Sequence, residues 1–195
     1  ININTVPVLD VIRNNSSKIL KNRTYGKNPK IVRNIGAQII SLFHKYKVAT
    51  VMKHIPGHGS AKVDSHKENP IVFESLESLK KKDFFPFKKQ KSLLAMTAHV
   101  TFKNLDIIPA TISKKLIYQI RKTIAFRGIL ITDDISMKAL KYSIKVNTKR
   151  AFTSGCDLVL HCNSNYKEML IVAKNSPFIN KFIIKKTSEL YKIIS

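Results

Sequence analysis

Gly128-Ile129-Leu130-Ile131-Thr132-Asp133-Asp134 is an almost continuous apolar run that ends on two adjacent carboxylates. Such a run is short for a helix and suits a strand buried on both faces, as in a parallel sheet. Runs of the same character recur at Val6–Leu9, Val48–Met52, Leu93–Thr97 and Asp157–Leu160. Stretches with helical spacing lie among them. Ile31–Tyr46 places Ile31, Ile35, Gln38, Ile39, Leu42 and Phe43 near one face. Ser113–Phe126 opens on a residue that can cap, then repeats Leu116, Ile117, Ile120 and Ile124. Tyr166–Lys174 and Lys181–Ile194 read as two further helices. Strand–helix alternation of this kind predicts βα units and a parallel sheet. Phe84-Phe85-Pro86-Phe87 is expected to be an apolar anchor at the end of a helix.

Each predicted strand runs into polar or ionisable residues. Val6–Leu9 leads to Asp10, Val48–Met52 to Lys53-His54, and Leu93–Thr97 to Ala98-His99. The central run leads to Asp133-Asp134, and Asp157–Leu160 to His161-Cys162-Asn163. Sites in open α/β sheets and in (β/α)8 barrels form at this carboxyl edge. A complete barrel has eight strands and roughly 250 residues. Five strands in 195 residues predict a partial (β/α)8 TIM barrel, about its last five βα units, with the first three missing. Residues 1–195 are then the C-terminal portion of one catalytic barrel domain.

The chain carries 35 Lys and Arg against 12 Asp and Glu, a formal charge of +23. That excess fits a nucleic-acid binder, whose cations neutralise phosphates. It equally fits a compositional bias toward Ile, Lys and Asn that places Lys on every solvated face. The lysines are spread along the whole chain, and neither an RNA-binding aromatic motif nor zinc-finger spacing occurs. Nucleic acid is therefore not the expected partner. The two cysteines, Cys156 and Cys162, lack C-x-x-C spacing, which favours a reducing, cytoplasmic setting. No apolar run approaches about 18 residues, and Ile1-Asn2-Ile3-Asn4 does not form a signal peptide. No membrane partner is expected.

Two clusters carry candidate chemistry. In Lys53-His54-Ile55-Pro56-Gly57-His58-Gly59, His54 and His58 have the spacing of a helical zinc site, but Pro56, Gly57 and Gly59 oppose a helix. The alternative is a Gly/Pro-shaped loop presenting Lys53 and His54 as hydrogen-bond donors. Asp64 and His66 follow, and a carboxylate so placed could fix the imidazole tautomer and raise its basicity, or both could be ordinary surface residues. The second cluster is Thr132-Asp133-Asp134-Ile135-Ser136-Met137. Its carboxylates could act as nucleophile or metal ligand, or Asp134 or Ser136 could cap a following helix. Neighbouring side chains at a strand end point different ways, so one carboxylate is expected to face the site.

Lys53–Gly59 with Asp64-Ser65-His66 resembles the Lys-His-Phe-Pro-Gly-His-Gly and Asp-Ser-His signature of the bacterial β-N-acetylglucosaminidases of glycoside hydrolase family 3. The peptidoglycan-recycling enzymes are the best-known members. Ile131–Met137 resembles their nucleophile segment. Val6–Val11, Met96–Val100 and Gly155–Leu160 agree in order and type, so the likeness covers nearly the whole chain. The resemblance implies a (β/α)8 barrel that needs no metal or organic cofactor. It implies Asp133 as nucleophile, His66 as acid/base and Asp64 as its partner. Arg23, Lys53 and His54 would hold the N-acetylglucosamine of a saccharide such as a peptidoglycan fragment, and a monomer is expected. Departures are Ile55 for Phe, Asn22 where an acid often precedes the Arg, and Asn69 where Leu usually precedes the Pro. The family's early strands supply a further sugar-binding acid and a Glu-Gly-Gly-Arg-type segment, neither found in these residues. A phosphorylase on the same scaffold and a basic nucleic-acid-binding protein are the alternative functions.

Overall fold

The computed structural model describes residues 1–14, 16–63, 65 and 68–195. Five parallel strands build the main sheet: β1 (Ile3–Asn4), β2 (Ala49–Ile55), β4 (Leu94–Thr97), β6 (Ile129–Asp134) and β7 (Leu158–Leu160). Their spatial order, β1-β2-β4-β6-β7, is their order in the chain, as in an arc of a (β/α)8 barrel. A small parallel pair, β3 (Ile71–Val72) with β5 (Thr101–Phe102), stands apart from it. The helices are α1 (Lys18–Lys21), α2 (Pro29–Lys45), α3 (Leu76–Lys81), α4 (Lys114–Lys122), α5 (Ile144–Ser154), α6 (Tyr166–Asn175) and α7 (Lys181–Ile194).

Local chemistry sets the helix limits. Asn28 caps α2 by accepting from Lys30 N and Ile31 N, with Pro29 opening the helix. Ser113 caps α4 through Leu116 N at 3.1 Å, the capping role expected of it. Asn180 caps α7 in the same way through Ile183 N. Gly155, at φ 108°, ends α5 in the left-handed region that favours glycine.

The predicted strand Val6–Leu9 is corrected. Regular pairing lies earlier, with Ile3 opposite Ala49, and the later segment keeps one bridge, Val8 to Lys53. Pro7 has no N–H to give to a ladder, so pairing is interrupted there. Pro7 still accepts from Lys53 N, and Leu9 N donates to Lys53 O, so the chain enters the site parallel to β2.

Alternation along the strands divides the core. Met52, Ala95 and Leu130 face a layer formed by Val32 of α2, Leu116 and Ile120 of α4 and Ala151 of α5. Val51, Leu94, Met96 and Ile129 face the other way, against Ile183 and Leu190 of α7. Full burial of such side chains contributes about 1.5–3 kcal/mol each. Phe84-Phe85-Pro86-Phe87 follows α3 as a tight turn, with Phe84 and Phe87 buried, as its composition predicts.

Candidate active site

The carboxyl ends of β2 and β6 converge. On β2 the pairing with β4 shifts between Lys53 and Ile55, leaving His54 unmatched. On β6 the pairing with β7 shifts between Ile131 and Asp134. Irregularities of this kind re-aim side chains at a strand end, and here they fall on the residues singled out in the sequence.

Asp10 is the centre of this region and is fully buried. Its Oδ2 lies 2.7 Å from His54 Nδ1, and its Oδ1 accepts from His58 N at 2.7 Å and His54 N at 3.3 Å. Burial opposes its charge, but His54 and then His58 outweigh that and hold the carboxyl below its ordinary value. An ionised carboxylate only accepts, so His54 Nδ1 carries a proton and Nε2 faces outward. That Nε2 stands 3.9 Å from Asp133 Oδ2, too far for a hydrogen bond.

Asp133 and Asp134 point different ways, as their adjacency predicts. Asp134 accepts from Ser136 N, Ser136 Oγ and Cys162 N, closing a turn and tying β6 to the segment after β7. It caps no helix: α5 starts later and is capped by Ser143. Asp133 faces His54 and accepts Asp134 N at 2.9 Å. Burial resists its ionisation, but His54, His99, the Asp134 amide and Lys53 together hold its carboxyl below the usual range.

Lys53 is half-buried and its ammonium reaches Thr5 Oγ1 at 3.1 Å. Burial first, then repulsion from Arg23, lowers its pKa despite Asp133 and Asp10. Arg23 itself is exposed just beyond α1. Arg23, Lys53, His54 and Asp133 therefore share one electrostatic neighbourhood. Asp64 and His66 lie outside the described residues.

His58 is buried beside His54, ring centroids 5.7 Å apart, and burial lowers its pKa to about 4. Among the described residues no group of three or more His, Cys, Asp or Glu is disposed to hold a metal. Neither is any helix there long and apolar enough to cross a membrane. Cys156 is buried, Cys162 exposed, and both are free thiols.

Asp10 and His99 were not assigned roles from sequence. Asp10 is marked there only as a polar residue after an apolar run, and its burial depends on the distant His54–His58 loop. That loop is anchored behind by Asp83, whose carboxylate binds Arg13 at 2.7 Å and the Ser60 hydroxyl at 2.9 Å. Burial raises Asp83 to about 6 against these two partners. A carboxyl raised by folding keeps a proton that the unfolded chain has released. Its contribution therefore weakens stability as pH rises from about 4 to about 6. Asp83→Asn is expected to flatten the fall in Tm across that interval. An unchanged slope would place the titration on another group.

Residues 1–188 match the glycosyl hydrolase family 3 N-terminal domain. The chain belongs to this family. It is 33% identical over 170 residues to a β-hexosaminidase of Actinobacillus pleuropneumoniae serotype 3 (strain JL03), covering 84% of this chain and 49% of that protein. A β-hexosaminidase of Neisseria gonorrhoeae is 32% identical over 169 residues, covering 84% and 46%. The chain thus spans about half the length of the curated relatives it matches. Among solved structures, a glycoside hydrolase family 3 β-N-acetylglucosaminidase from Paenibacillus sp. superposes with a TM-score of 0.87 at 26% identity, over 99% of this chain and 39% of that one. NagZ from Neisseria gonorrhoeae, in complex with N-trifluoroacetyl-D-glucosamine, gives 0.86 at 28% identity, over 97% and 56%. These likenesses, with the sheet order, make the family 3 chain an α/β arc of a TIM barrel.

Proposed function

We propose that this chain carries the catalytic groups of a retaining β-N-acetylglucosaminidase acting on terminal β-linked N-acetylglucosamine of peptidoglycan fragments in the cytoplasm. The observation that supports this most is the Asp133 carboxylate, kept charged at the carboxyl end of β6 and facing His54. Asp133 attacks the anomeric carbon, the glycosidic bond breaks, and a glycosyl-enzyme ester forms. His66, oriented by Asp64, gives its proton to the departing oxygen. In the second step it takes a proton from water, which attacks the anomeric carbon, breaks its bond to the Asp133 oxygen and frees the carboxylate. Arg23, Lys53 and His54 hold the sugar.

Product stereochemistry tests the reading. Proton NMR of an early reaction in phosphate buffer is expected to show the β-anomer of free N-acetylglucosamine first. The α-anomer of the free sugar appearing first would exclude a covalent intermediate on Asp133. Sugar 1-phosphate as product would replace the hydrolase by the phosphorylase.

Asp10 should matter to substrate binding through His54. Carboxylates that orient metal-bound imidazoles are worth about 10–100-fold. A loss on that scale in kcat/KM is expected for Asp10→Asn, which keeps the shape but removes the charge beside His54 Nδ1. Wild-type kcat/KM in the folded variant would dismiss the orienting role.

A further inference from the structure

The pairing of β6 ends before its carboxylate. Its partner β4 matches Leu94, Ala95 and Met96 with Ile129, Leu130 and Ile131, and pairs no further. Thr132, Asp133 and Asp134 therefore receive no backbone ladder from that side. On the other side β7 resumes only at Asp134, after a register shift. A strand end held by half a ladder would leave the Asp133 side chain loosely aimed.

A side chain takes the place of the lost ladder bond. His99 follows β4, is 1% exposed, and its Nε2 lies 3.0 Å from the Asp134 carbonyl oxygen. A carbonyl only accepts, so Nε2 carries the proton. The other ring nitrogen, Nδ1, is 2.7 Å from Thr111 Oγ1. Burial lowers the His99 pKa, which favours the neutral ring with Nδ1 accepting the Thr111 hydroxyl, whose other acceptor is the Ala98 carbonyl at 3.1 Å. Thr97 Oγ1, 2.8 Å from Thr111 Oγ1, supplies the next hydroxyl and can donate to it. Thr97, Thr111 and His99 are all buried, so each bond in this relay is shielded from water. The Asp134 amide meanwhile donates to Asp133 Oδ1. The two peptide groups of Asp134 are thus fixed, one by the Asp133 carboxylate itself and one by His99.

We propose that His99 is a positioning residue for Asp133: its Nε2–H, with the ring oriented by Thr111, clamps the Asp134 carbonyl and aims the Asp133 carboxylate toward His54. This rests on Asp133 being the attacking group. His99 touches neither sugar nor water in this scheme. Its loss should slow the attack and leave sugar binding in place.

The test uses the full natural chain and an aryl N-acetyl-β-glucosaminide, with kcat and KM measured separately. Misplacing a reacting group by about 1 Å can cost 10²-fold. His99→Leu is therefore expected to lower kcat by about 10–100-fold with KM close to wild type. His99→Gln keeps an amide donor at the Nε2 position and is expected to recover most of kcat. Unchanged kcat in folded His99→Leu would overturn the clamp, and so would His99→Gln as impaired as His99→Leu. Should His99→Leu fail to fold, Thr111→Val decides, because it removes one hydroxyl at similar volume. A fall in kcat at constant KM supports the clamp, and wild-type kcat overturns it. An inactive wild-type protein would overturn the assigned activity and the clamp with it. An active wild type beside an unaffected His99 variant would overturn the clamp alone.

Discussion

Asp133→Ala is expected to abolish turnover in the full natural chain, by roughly 10⁴–10⁶-fold, the scale on which enzymes lose a covalent nucleophile. In barrier terms this is about 5–8 kcal/mol. His54, Lys53 and Arg23, the proposed sugar-binding groups, remain in the variant. The variant should still bind N-acetylglucosamine, so a KM or inhibition constant near wild type would separate loss of chemistry from loss of the pocket. Shortening Asp133 also opens the face from which it attacks. Azide should enter there, bond to the anomeric carbon and expel the protonated leaving group, giving an α-glycosyl azide. That product, detected by NMR, would identify the vacated position as the nucleophile's. A folded Asp133→Ala protein within tenfold of wild type would remove Asp133 from the mechanism.

Much of this arrangement was legible in the chain itself. The apolar runs marked four of the five main strands to within three residues at each end, because strands buried on both faces leave a continuous signal. The limits of α7 could be read outright from its amphipathic spacing. Where the reading failed, the reason was physical. Helix α5 was overlooked because its buried face is Asn147, Thr148, Ala151 and Ser154, which shows no apolar period. Asn147 is satisfied there by the carbonyls of Ile135 and Tyr142, partners no local pattern reveals. The pair β3 and β5, two residues each, is too short to show alternation. The spacing of α7 requires an apolar partner but does not say which one. Its choice of the sheet face opposite α2 and α4 follows from side chains contributed by β2, β4 and β6 together.

The site divides along the same line. Lys53, His54 and Asp133 could be selected because strand ends place polar groups at one edge. Strand position alone does not separate Asp133 from Asp134; the family resemblance selects Asp133, and the structure engages Asp134 in a turn where it accepts from Ser136 and Cys162. Asp10 and His99 meet partners 44 and 35 residues away, so neither could be selected from spacing. Their burial is what gives them weight, since a buried polar group unpaired in the interior would be costly.

His66→Ala carries the second large effect, and its size should depend on the leaving group. For a sugar aglycone the departing oxygen is strongly basic and must be protonated as the bond breaks. Loss of that proton donor is expected to cost about 10²–10⁴-fold. An aryl oxygen leaves as a stable anion, so the first step on an activated aryl glycoside should slow by less than about tenfold. The second step has no such escape, because water still needs a base. With the first step nearly intact and the second impaired, glycosyl-enzyme on Asp133 should accumulate. It would appear as a burst of aryl alcohol followed by slow turnover, with an apparent KM below that of wild type. Azide, which needs no deprotonation, should accelerate that slow phase and yield the β-glycosyl azide. This is opposite in configuration to the azide product of Asp133→Ala, because here azide displaces the ester instead of the aglycone. Two variants, one added nucleophile and two anomers thus assign the two roles independently. Equal losses on aryl and sugar substrates, without a burst, would remove His66 from the acid/base position whatever the fate of Asp133.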